Sequence, residues 1–140
     1  MNTTSSIVAA AGRVLIALIY LFSGVGKILA PAATQAYIAS AGLPAPVLVY
    51  VIAIVIELGG GILLVLGFRT RIAAGIMAAF TIAAALGFHH DFSNQDQLIH
   101  FMKNIAMTGG LLQVVAFGAG ALSIDRRRRS NLTAGRVETA

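Results

Sequence analysis

Apolar residues gather along this chain into four blocks, at about 7–29, 47–67, 72–88 and 98–122, with turn-forming or polar stretches between them. Each block approaches the ~20 residues that a helix rising 1.5 Å per residue needs to cross ~30 Å of hydrocarbon. The third is the shortest and is rich in alanine. Backbone groups in lipid must be satisfied internally, which leaves helices or closed barrels, and the two-residue alternation of barrel strands is absent. The pattern therefore predicts an all-α protein, an integral membrane bundle of four helices filling residues 1–122.

The connections agree with that count. "APAATQAYIASAGLPAP" (30–46) is rich in Pro, Gly and small residues, and predicts a short interfacial helix around Thr34–Ser40, closed by Gly42 and Pro44. "FRTR" (68–71) is a tight positive turn suited to an antiparallel pair. "HHDFSNQDQ" (89–97) is polar and holds no Lys or Arg. Residues 123–140 read as a basic, flexible tail.

Composition places most of the surface in lipid. Hydrophobic residues make up 58% of the 140 and charged residues 11%, where a soluble protein carries roughly a quarter charged. Cysteine is absent, which excludes disulfides and thiolate chemistry within this chain. The net charge of +5 could suggest nucleic acid, but no nucleic-acid-binding motif accompanies it. Its distribution suits a membrane protein instead. Arg69, Arg71, Arg126–Arg129 and Arg136 supply seven of the ten basic residues and lie in one turn and in the tail. Basic loops mark the cytoplasmic side, so both termini are expected inside (N-in/C-in) and the lysine- and arginine-free loops outside. As a cleaved signal peptide, the first block would end at "APA" near Ala30. Lys27 interrupts the region before such a cut, and the remainder would be an odd-numbered bundle with basic ends on opposite sides.

Against this background the polar residues inside the blocks need reasons, since an ionisable group at membrane depth costs ~2.5–3.5 kcal/mol even on lenient scales. In the first block Arg13, Tyr20, Gly24 and Lys27 share one helical face, and in the second Tyr50, Ala53, Glu57, Gly60 and Gly61 do so. Gly75, Ile82 and His89 align on the third, and His100, Lys103, Asn104 and Met107 on the fourth. The least costly arrangement turns all four faces inward. Glu57 lies ten residues into its block, ~15 Å deep, and is expected to pair with Lys27 or with Lys103. Arg13 reads as an interfacial anchor. Gly24, Gly60, Gly61 and Gly110 suit close helix packing, and would also leave room for a flat ligand beside Glu57. His89, His90 and His100 are expected to be boundary groups and not a metal site, because adjacent histidines point apart on a helix.

Taken in order, "YLFSGVGKIL", "IELGGGILLVLGFRTR" and "HFMKNIAMTGGLL" resemble the DoxX family of small bacterial and archaeal membrane proteins, from about Gly12 to Leu122. The resemblance implies a four-helix membrane bundle, with the family pattern falling on Gly24, Lys27, Glu57, Gly60, Gly67, His100, Lys103 and Asn104. The family is named for a subunit of an archaeal thiosulfate:quinone oxidoreductase, and a mycobacterial relative looks like the membrane part of a complex with superoxide dismutase and a sulfurtransferase. Lack of cysteine argues against direct sulfur chemistry here.

Two functions stay open. One is a membrane subunit associated with a quinone-linked oxidoreductase or redox-detoxification complex. There Lys27, Lys103 or His100 would donate to a quinone, Glu57, Asn104, Tyr50 and Tyr20 would complete a ligand or proton site, and a soluble redox partner would carry the electrons. The alternative is a non-enzymatic membrane protein that binds or carries a small lipophilic molecule or scaffolds partner proteins. Either is compatible with a homo-oligomer.

Overall fold

The computed structural model describes residues 3–137. Helix α1 spans Thr3–Leu29, α2 Pro31–Ser40, α3 Pro46–Leu66, α4 Thr70–Phe88, α5 Gln95–Phe117 and α6 Ile124–Val137. Four of these, α1, α3, α4 and α5, are long and apolar enough to cross a membrane. The described residues contain no strand. The short helix expected around Thr34–Ser40 is present as α2, which begins three residues earlier at Pro31 and is followed by Gly42 at φ +73°.

Local chemistry explains the boundaries. Pro46 starts α3 at a position where a missing N–H costs nothing. Gly67, at φ +66°, ends it: the Phe68 amide donates to the Leu63 carbonyl at 3.1 Å and the Gly67 amide to that of Leu64 at 3.2 Å. Asn94 caps α5 by accepting from the amides of Asp96 and Gln97. The fourth span stops at Phe117, short of the predicted residue 122. Gly118 and Gly120 both have positive φ, a change of backbone that an apolar count over "GAGAL" does not register.

Helix α1 packs along α3, α3 against α4, and α4 most extensively against α5, while α5 meets α1 sparsely. The core is small: Ala17 and Tyr20 of α1, Leu64 of α3, Ala74, Met77 and Ala78 of α4, and Leu111 of α5. The buried face of α4 runs through Thr70, Ala73, Ala74, Met77, Ala78, Thr81 and Ala85. The predicted line of Gly75, Ile82 and His89 borders that face, half-buried. Large side chains such as Leu15, Phe22, Val55, Ile76 and Phe117 point outward. Lipid is as apolar as leucine, so helices in it gain by close contact of small residues and not by hiding large ones.

The basic tail contains a helix. Helix α6 begins with Ser123, whose hydroxyl accepts from the Arg126 amide at 3.2 Å. It docks on the 67–71 turn, with the Asp125 amide donating to the Gly67 carbonyl at 2.9 Å and Arg128 lying 5.4 Å from the Phe68 ring centroid. A run of arginines looks disordered by charge alone, but a Ser–x–Asp start supplies a helix cap and an acid in the first turn.

Candidate functional site

Glu57 lies at the centre of a single π-helical turn, Val55–Gly59, set within α3. Such turns carry one inserted residue and recur at functional positions in helices. Glu57 faces α1, whereas Gly60, three residues on, faces Met77 of α4. Nothing in the apolar pattern signals this irregularity, and the sequence reading had a regular helix here.

The Glu57 side chain is 6% exposed and that of Lys27 is 24% exposed. Lys27 Nζ donates to both Glu57 oxygens at 2.9 Å and to Ser23 Oγ at 2.7 Å. An ammonium has three hydrogens, and all three are therefore used. The Tyr50 hydroxyl donates to the Lys27 backbone carbonyl at 3.2 Å, tying the last turn of α1 to α3. Ser23 is exposed, so the pair has a buried acidic side and an outward edge of ammonium and hydroxyl.

Close helix approach makes the pair reachable. A Cβ on Gly24 would lie 2.7 Å from Leu58 and 3.3 Å from Glu57 Cβ. One on Gly61 would lie 2.8 Å from Leu21, one on Gly60 2.6 Å from Met77, and one on Gly110 2.9 Å from Ile16. The space at these four glycines is thus filled by neighbouring side chains and leaves no slot for a flat ligand. Open space lies instead on the outer surface, where a Cβ on Gly26 or Gly59 would meet nothing within 4 Å.

Deeper in the core, Tyr20 is 3% exposed and its oxygen lies 2.5 Å from Thr81 Oγ1. Thr81 donates its own hydrogen to the Met77 carbonyl at 2.7 Å, so the Tyr20 hydroxyl donates to Thr81. The link joins α1 to α4 and stands apart from the ion pair.

The predicted stripe on the fourth span is turned inward only at its Asn104 and Met107 end, where Met107 packs on the core. His100 and Lys103 are exposed, Asn104 and Met107 are half-buried, and the buried residues of α5 are Thr108 and Leu111. Helix α5 is paired with α4, and Gly110 marks where it approaches α1, so Lys27 and not Lys103 holds Glu57. His100 stacks on His89 at 5.0 Å, and His89 Nδ1 lies 3.0 Å from Gln97 Oε1. No cluster of three or more metal-ligating side chains occurs among the described residues.

Arg13 is the residue that sequence reasoning most underrated. It is 4% exposed, with Nη1 donating to the Ala119 carbonyl and Nη2 to that of Leu122 at 2.9 Å. It is therefore an internal tie between α1 and the 118–123 segment, not a surface anchor. Its seven-residue spacing from Tyr20 had placed it on the inward face.

Comparison with known proteins adds a family to this geometry. No solved structure matches the chain. The Escherichia coli K12 inner membrane protein YqjF is 40% identical over 114 residues, covering 81% of this chain and 86% of its own. Inner membrane protein YphA of the same organism is 37% identical over 120 residues, covering 82% and 86% respectively. The DoxX family model matches residues 8–90, a stretch that includes Lys27, Glu57 and the π turn. With four membrane-spanning helices and these relatives, the chain is an integral membrane protein and belongs to the DoxX family.

Proposed function

We propose that this protein is the membrane-embedded docking part of a quinone-linked redox system, with Lys27 and Glu57 as the polar pair that meets the ligand. The observation that carries the proposal is the buried carboxylate held by one ammonium at 2.9 Å and open on one edge to the bundle surface. A quinone carbonyl entering from lipid would accept from Lys27 in place of the Ser23 hydroxyl. Glu57 and Lys27 would then exchange the proton that accompanies reduction. In this reading a soluble partner supplies the electrons. Lys103, His100 and Asn104 lie on α5 outside this pair and are not needed for it.

A specific observation favours the second reading, a non-enzymatic carrier or scaffold. All three Lys27 hydrogens already have acceptors within the protein, as a pair that only fixes neighbouring helices would have. Mass spectrometry of the protein purified in mild detergent separates the two. Co-purified quinone that is lost in Glu57→Gln supports docking. A wild-type protein that carries only phospholipid, and takes up no added quinone, supports the second reading.

At the opposite end of α3 from Lys27 and Tyr50 lie the 67–71 turn and the start of α6, joined through Asp125. Their arginines support a cytoplasmic position for that end, and hence the N-in/C-in orientation.

A further inference from the structure

Beside the 67–71 turn lies an open cavity of about 540 Å³, at the opposite end of α3 from Tyr50 and Lys27. Its walls carry Arg69, Arg71, Arg126 and Arg129, with Asp125 as the acid among its lining residues. Asp125 has both of its oxygens engaged by the turn. Its Oδ1 accepts from the Arg69 amide at 2.8 Å, and its Oδ2 accepts from the Thr70 amide at 3.0 Å and the Thr70 hydroxyl at 2.8 Å.

Several backbone carbonyls near the cavity are similarly engaged. Arg13 takes those of Ala119 and Leu122, the Ser123 hydroxyl donates to that of Gly120, and Arg71 Nη2 donates to that of Ala116 at 3.2 Å. An anion entering the cavity thus meets guanidinium donors while nearby acceptors already have hydrogens. Arginine suits this task because its planar fork matches phosphate oxygens. On the side toward the spanning helices the lining includes Ile72 and Phe117, 57% and 79% exposed.

We propose that this cavity binds the phosphodiester head of an anionic phospholipid, with Arg69 and Arg126 on the phosphate and the acyl chains lying over Ile72 and Phe117. The apolar lining is what selects a lipid over free phosphate. The site is separate from the Lys27–Glu57 pair and does not depend on its function.

Native mass spectrometry of the full chain in mild detergent tests this, with phosphatidylglycerol, phosphatidylcholine or inorganic phosphate added. Phosphatidylglycerol should be retained over phosphatidylcholine, and inorganic phosphate should not displace it. Arg69→Gln with Arg126→Gln should weaken retention roughly thirtyfold, from the loss of two surface cations. Lys103→Gln, an equal charge change elsewhere per residue, should leave it unchanged. Arg126→Gln alone, at an exposed side chain, should still weaken retention if the double variant does not fold. Wild-type retention in the arginine variants, an equal loss in Lys103→Gln, or displacement by inorganic phosphate would overturn the proposal.

Discussion

At the scale of single residues, the Lys27–Glu57 pair makes the sharpest prediction. Lys27→Met strands a buried carboxylate, a change that costs about 3–5 kcal/mol. Lys27→Met combined with Glu57→Leu removes both charges and should recover much of that loss. Unfolding in mild detergent measures both, and additive losses would show that the two residues are not coupled. Much of the pair was legible: Lys27, Gly24 and Glu57 fall on faces that period 3.6 assigns without a structure. The choice of Lys27 over Lys103 was not, because it depends on which helices are neighbours. Arg13 was misjudged for the same reason, since its acceptors are more than a hundred residues away and are backbone atoms, which sequence pattern does not distinguish.

At the scale of elements, the helix ends near the arginine turn hold one another. Gly67 has positive φ, and a Cβ there would come within 2.5 Å of Ser123 Cβ. Gly67→Ala should therefore destabilise by more than the ~1–2 kcal/mol of left-handed strain alone, read as a lower melting temperature with the helical signal retained. Asp125 offers a pH test. Burial alone would push its pKa up, but hydrogen bonds from Thr70 and Arg69, with the charge of Arg128, outweigh that and hold it below the ordinary carboxylate range. A depressed folded pKa means stability that is present above the unfolded value and lost as pH falls through the folded one. Asp125→Asn should cost about 1 kcal/mol near neutrality, and its melting temperature should converge with wild type in acid. Spans of apolar sequence predicted these helices well, whereas the π turn at Glu57 and the bend at Gly118 escaped because both are changes of backbone within uninterrupted apolar runs.

For the whole molecule, the natural absence of cysteine makes orientation directly measurable. Single cysteines at exposed Ser93 and Ser130 lie toward opposite ends of the bundle. In intact cells an impermeant thiol reagent should label Ser93→Cys and spare Ser130→Cys if both termini are inside. The reverse pattern would invert the assignment. Four spans and their order could be read from hydropathy because lipid imposes a length on every crossing. The pairing of α4 with α5, and the scant contact of α5 with α1, had no such signature.

The two bonds from Arg13 to the Ala119 and Leu122 carbonyls also order the protein's biogenesis. The guanidinium is synthesised ahead of its acceptors, which follow the fourth span. Until then a cation that the finished fold buries has no partner from that segment, and a chain broken off before residue 119 never acquires one. Completion of the bundle thus coincides with the satisfaction of one guanidinium by two carbonyls made a hundred residues after it.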